Sequence, residues 1–388
     1  MMNGRRAKTG LWLIGLGALA AAGGCATGRG AGRDDAQRPA REVVMDPLHI
    51  GLQPDPELGL TDFDAATLFH EGLRLQQAER CDRALLFYDR LLEQFPKARH
   101  RPAAAYNAGR CLETLGRPAA AARRYRLIVD GMPRSQDWIA AVFRLAGVLE
   151  QLGRYRPAAA VLQQLLDRRP LRPGDRMDGL VRLGEVFIAA GRLTEAEAVL
   201  LRALRHFRTV EREAYLDPEP AARAQFRLAE LASGRFLAAP LRLPEQQMRR
   251  DLEHKARLLL EAQAAYLRAM RWGDPHWATA AGYRIGKLYI ELHTALEAAP
   301  VPPELDAAEV AVYRELLHDR LEVLLRKALR IFERTLQLAE RSRADNAWTR
   351  AARNEMQRIE REVLGSGDAQ DAEPQPPARP DSAPPDQS

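Results

Sequence analysis

The chain has 388 residues, 46% of them hydrophobic and 28% charged, which is enough apolar material for one or two buried cores and excludes wholesale disorder. A net charge of +6 invites a nucleic-acid reading, but 53 of the 58 basic residues are Arg, and removing residues 1–24 takes away Arg5, Arg6 and Lys8 and leaves +3. A balance that modest does not call for a basic binding stripe.

The first element in chain order is a basic start (Arg5, Arg6, Lys8), an apolar run from Leu11 to Ala22, and two glycines before Cys25. That order reads as a secretory signal. The apolar run is shorter than the roughly 20 residues a helix needs to cross a hydrocarbon core, so export is favoured over a spanning anchor. Gly23, Gly24 and Cys25 together resemble the lipobox of bacterial lipoproteins, although Ala22 stands where that family usually has Leu. The resemblance implies lipidation of Cys25 and removal of residues 1–24, and Ala26 in place of Asp implies delivery to the outer membrane, on its periplasmic face. Ordinary cleavage, an uncleaved anchor and twin-arginine export stay open as alternatives. Residues 25–60 are rich in Gly, Arg, Asp and Pro and have no apolar period, so they read as a flexible tether spanning about 30–35 Å.

From about residue 61 the apolar period becomes helical, and the chain repeats itself at a stride of 37 or 38 residues. Gly72, Gly109, Ala146 and Gly184 begin the four registers. Twelve residues on come Ala84, Ala121, Ala158 and Ala196, and four further on the large residues Tyr88, Tyr125, Leu162 and Leu200. Pro96, Pro133 and Pro170 follow in three units, while Arg208 occupies the place in the fourth. Gly116, Gly153 and Gly191 punctuate units two to four between their helices. Small residues let two antiparallel helices approach, the large residue fills the space beside the crossing, and proline ends the second helix.

These offsets resemble the tetratricopeptide repeat (TPR), and the resemblance implies an all-α, right-handed α-solenoid of helix-turn-helix units. Four units over 61–210 suffice for a stack that buries its own faces. Residues 211–364 continue as irregular repeats: helices at Ala222–Ala232 and Ala256–Met270 around an insertion with Pro240 and Pro244, then Trp277–Leu296 and Val310–Arg341, and a capping helix at Asn346–Val363. Residues 365–388 are Pro-rich and acidic, the composition of a disordered tail.

Catalytic and cofactor motifs are lacking. The eight histidines never fall at metal-ligand spacing on one helix, so no metal site is expected. The segment around Gly282, Gly286 and Lys287 lacks the spacing and the Ser or Thr of a phosphate loop. Lytic transglycosylases also build helical envelope solenoids, but their Glu-Ser pair is absent. Cys81 and Cys111 fit either a disulfide or two buried thiols.

Binding is what remains. In the TPR family the first helix of each unit lines a concave groove. Carried onto this sequence, the groove positions are Phe69, Leu73 and Gln76, then Tyr106, Arg110 and Glu113, then Phe143 and Glu150, then Val181, Glu185 and Ile188. Several of these could equally be core between repeats. The family's carboxylate clamp is not reproduced, because Asn107 and Arg144 fit it but Phe69, Leu73 and Ala140 do not.

The combination resembles envelope TPR lipoproteins of outer-membrane assembly, of the Tol–Pal system and of delta-proteobacterial envelopes. It implies a non-catalytic scaffold that holds envelope proteins or peptide segments and meets the membrane through its N-terminal lipid. Two alternatives stand beside it: an accessory to polysaccharide export or peptidoglycan-linked division, with glycan as ligand, and, if the signal is spurious, a cytoplasmic scaffold for nucleic acid.

Overall fold

A computed structural model describes residues 64–214 and 216–367, without side chains for 211–215 and 362–367. Cys25, the tether and the tail beyond residue 367 lie outside the described residues, and the expected start of the tail, 365–367, is the end of the last helix. Thirteen helices follow one another there, with no strand between them.

The four regular units supply α1 (Ala65–Gln77) with α2 (Cys81–Gln94), α3 (Arg101–Thr114) with α4 (Pro118–Gly131), α5 (Trp138–Gln151) with α6 (Tyr155–Asp167), and α7 (Pro173–Ala189) with α8 (Leu193–Ala214). Asp64 starts the first by accepting the Thr67 backbone N–H at 2.6 Å. Helix breakers set the other ends. Pro96, Pro133 and Pro170 each follow a second helix within three residues of its end. In the fourth unit Arg208 lets α8 run on to Ala214, making it 22 residues long against 13 or 14 for α2, α4 and α6. The turn inside each unit needs one left-handed residue: Gly116, Gly153 and Gly191 have φ of 67–73°, and Glu79 serves unit one at 60°.

The stride of small residues marks equivalent helix crossings. A Cβ added at Gly72 would stand 2.6 Å from the Tyr88 ring, at Gly109 2.6 Å from the Tyr125 ring, and at Gly184 2.6 Å from Leu200. Ala146 is buried at the same register, with the smaller Leu162 as its partner. Ala84, Ala121, Ala158 and Ala196 are fully buried on the facing helices. This core runs on without a break through residues 65–231. The indole of Trp138 ties adjacent units by donating to the Val129 carbonyl at 3.0 Å.

The C-terminal helices are longer than the sequence pattern suggests. They are α9 (Glu219–Ala238), α10 (Glu245–Met270), α11 (Pro275–Glu297), α12 (Ala307–Ser342) and α13 (Ala347–Gly367). The expected insertion between α9 and α10 shrinks to six residues, Ala239–Pro244, because both helices extend into it. Lys255 secures this junction: its buried ammonium donates to the Phe236 and Ala239 carbonyls at 3.0 and 2.8 Å, closing the end of α9. In α11 and α12 the crossing recurs at Gly286 and Gly282, where an added Cβ would collide with Phe332 and Thr335. The unit is a repeat whose two helices are joined by a longer loop, residues 298–306.

Most successive odd-numbered helices touch one another (α1 with α3, α5 with α7, α7 with α9, α9 with α11, α11 with α13), and no two even-numbered helices do so comparably among the described residues. The odd helices therefore occupy the inner radius of the stack. None of the described helices is long and apolar enough to cross a membrane.

Candidate functional site: the inner helical face

Positions that face inward on α1, α3, α5 and α7 sort into three kinds. The first is aromatic. Phe69 is half-buried and stacks on His100, with ring centroids 4.9 Å apart, and leans toward Tyr88 at 6.3 Å. Tyr106 packs against Tyr125 at 5.7 Å. Phe143 carries the Arg182 guanidinium 5.5 Å over its ring. Each keeps part of its ring accessible, and Phe143 also lines a recess of about 850 Å³ with Ile139, Leu171 and Arg172.

The second kind is already engaged within its own unit. Tyr88 donates its hydroxyl to the Gln76 carboxamide oxygen at 2.8 Å, and Tyr125 likewise donates to the Glu113 carboxylate. The aromatic in the second helix thus does two things: its ring fills the crossing and its hydroxyl fixes the end of the first helix. Burial, then the hydrogen-bonded Glu113 carboxylate, pushes the Tyr125 phenol far above its ordinary range, so it stays a donor. Glu113 also meets Arg144 of the next unit at 3.6 Å.

The third kind is core. Val181 is 1% exposed and packs inside the stack, which corrects its place among the groove positions. Val181 is much smaller than the Phe69, Tyr106 and Phe143 rings at the equivalent register, so it does not reach out of the packed layer. Leu73 and Ile188 are half-buried and Arg110 is exposed.

Beyond unit three the inner face becomes a charge ladder. Glu185 receives Arg223 through two hydrogen bonds and Arg227 through one at 2.9 Å. Burial opposes the Glu185 charge, but the two guanidinium groups overcome it and hold the carboxyl below its ordinary range. Arg227 continues to Glu230 at 2.7 Å, Glu230 to Arg284 at 2.8 Å, and Arg284 sits 5.6 Å over Trp348. Trp277 donates its indole N–H to Glu219 at 2.8 Å, and Lys287 reaches Glu355 at 3.1 Å. Glu150 and Asp178, both near Arg182, are left short of counter-charge. Burial raises both carboxyls, helped at Glu150 by the neighbouring Glu185 and weakened at Asp178 by Arg182.

The sequence pattern located Glu185, and Arg144 only as a carboxylate-clamp position, but not Arg182, Arg223, Arg227 or Arg284. Each lies on a first helix, and Arg182 stands at the same register as Arg144, two residues before the small residue of its unit. Arg223, Arg227 and Arg284 fall after the stride breaks down at the lengthened α8. Cys81 and Cys111 are free and buried. Burial and the neighbouring Cys81 sulfur push the Cys111 thiol well above its ordinary range.

Known proteins match this arrangement at the level of the repeat. No curated protein matches the chain. Among solved structures, YrrB, described as a TPR protein with an unusual peptide-binding site, is 20% identical over 52% of this chain and 86% of its own, with a TM-score of 0.35. MamA from Desulfovibrio magneticus is 17% identical over 52% and 97%, with a TM-score of 0.35. PilF of Pseudomonas aeruginosa is 17% identical over 67% and 96%, at 0.38. The tetratricopeptide-repeat family model matches residues 69–134 and 143–209, which are the four units built on Gly72, Gly109, Ala146 and Gly184. With the crossings, turns and helix pairs all in that register, the chain is an α-solenoid carrying tetratricopeptide repeats.

Proposed function

We propose that the protein is a scaffold that captures a peptide segment of a partner protein on the inner face of its solenoid, without catalysis of its own. The observation that carries this reading is the row of partly accessible rings Phe69, Tyr106 and Phe143, one per unit on successive first helices, flanked by an exposed Arg110 and the Glu113–Arg144 pair. Anchors repeated at the unit spacing suit an extended or helical segment whose side chains recur along its length. Ion pairs at the rim would orient the segment and reject wrongly charged ones.

The location belongs to the same proposal. The lipobox-like stretch ending at Cys25 supports an exported lipoprotein tethered at the periplasmic face of the outer membrane, with envelope proteins as the partners. A role in polysaccharide export or at peptidoglycan is the second reading, favoured by the partly accessible Trp348 set beside Arg284, a pairing of a flat apolar ring and a guanidinium group that suits sugar faces. The nucleic-acid reading loses its support, because most inner-face arginines are neutralised by carboxylates.

A photo-crosslinker placed in turn at Tyr106 and Phe143 in intact cells tests the groove. The expected result is capture of one partner from both positions and none from Leu201, an exposed residue on α8. Equal capture from Leu201, or loss of nothing when Phe69, Tyr106 and Phe143 all become Ala with helix content intact, would remove the inner face as the binding surface. Metabolic palmitate labelling that persists in Cys25→Ser would remove the anchor.

A further inference from the structure

No two histidines fall at metal-ligand spacing on one helix, but the fold brings a ligand set together between two helices. On α11, His293 and Glu297 are four residues apart and share a face; His318 arrives from α12, across the 298–306 loop. The Glu297 carboxylate stands between the two imidazoles. Its Oε2 lies 3.3 Å from His293 Nδ1 and its Oε1 lies 3.1 Å from His318 Nδ1. The three ligand atoms all fall within 4.8 Å of one another, and the imidazole planes are crossed at 75°.

We propose that His293, Glu297 and His318 hold a divalent transition-metal ion of the zinc class. Tetrahedral zinc with ligands at about 2.0–2.1 Å sets its donors roughly 3.3–3.4 Å apart, and one donor atom from each of the three residues already lies within 4.8 Å of the others, a spacing that side-chain rotation closes. Two imidazoles and one carboxylate suit zinc and its neighbours; calcium and magnesium ask for six or more oxygen donors and are not served here. His293 is buried at the floor, while Glu297 and His318 are 39% and 48% exposed, so the ion enters from solvent and keeps a fourth position open to water or to a ligand from elsewhere.

The site also has a mechanical consequence. The first four turns of α12, residues 307–320, are mostly exposed and present Val312, Tyr313 and Leu316 to solvent. His318 is at the root of this projecting stretch, and the ligands on α11 are in its last two turns. The bound ion clips the projection to α11 and sets the direction in which its apolar side chains point. Without it, the Glu297 carboxylate stands between the imidazoles, hydrogen-bonded to His318 and in close contact with His293.

The test is zinc competition between the full chain and a chromophoric chelator, run beside His318→Ala and Glu297→Gln. His318 and Glu297 are both exposed, so the variants keep their helix content, checked by circular dichroism. The expected result is one zinc per chain in the wild type beyond what either variant retains, with affinity falling more than about tenfold in each. Hydrogen exchange supplies a second readout: zinc slows exchange over 307–320 in the wild type and in neither variant, and magnesium does nothing. Equal zinc binding in wild type and His318→Ala, or exchange over 307–320 that zinc leaves untouched, overturns the site.

Discussion

Replacing Gly109 by Ala sets two effects of opposite sign against each other. In mid-helix the change removes glycine's propensity penalty, worth about 1 kcal/mol in favour of Ala. At this position, however, the new methyl would stand 2.6 Å from Cε1 and Cζ of Tyr125, a buried ring that is held by its hydroxyl on Glu113 and cannot slide away. Overpacking of that kind costs about 1–3 kcal/mol, so Gly109→Ala is expected to destabilise by up to about 2 kcal/mol on balance. The third unit shows the remedy, since it pairs Ala146 with Leu162 rather than Gly with Tyr, and both are buried without conflict. In a Tyr125→Leu background, which is itself less stable, the same Gly109→Ala change should become neutral or stabilising. The coupling between the two sites should therefore reach about 2 kcal/mol, within the range of contacting residues. Gly147→Ala is the matched control: nothing lies within 4 Å of its added Cβ, so only the propensity gain remains. Urea unfolding followed by circular dichroism measures each variant beside the wild type. A Gly109→Ala cost that is the same whether Tyr125 is kept or replaced by leucine would refute the claim that ring and glycine are fitted to each other.

The remaining predictions rest on other features. Glu79 holds the left-handed turn that glycine holds in units two to four, so Glu79→Gly should stabilise unit one by about 0.5–1 kcal/mol, read as a higher urea midpoint. Burial, and then Glu185, raises the Glu150 carboxyl above its usual 4.5; protonation is favoured more in the folded chain than in the unfolded one, and stability is lost as pH rises through the folded value. Glu150→Gln should accordingly raise the melting temperature at pH 7, with the gain vanishing below pH 4.5, and a gain that persists in acid would contradict the electrostatic cause. Cys81 and Cys111 are buried, and Cys111 resists ionisation, so both should be inert to a thiol reagent in the native protein and reactive in urea. Rapid native labelling of either would show that the α2–α3 packing opens.

The sequence alone determined the repeat. Close approach of two helices tolerates only small residues at the crossing, and a helix cannot continue through proline, so Gly72, Gly109, Ala146 and Gly184 with Pro96, Pro133 and Pro170 state the unit length without reference to any neighbour. The same logic named the inner-face positions by counting. It could not say which were available, because availability depends on what the neighbouring helices bring: a tyrosine hydroxyl engages Gln76 and Glu113, and Val181 is enclosed in the core. Past α8 the stride stops predicting, since the helices lengthen and the loops absorb the difference. Only the folded chain therefore decided that Glu185 meets Arg223 and Arg227, and that His318 comes to His293 and Glu297. Both are meetings between helices, and a pattern confined to one helix carries no information about them.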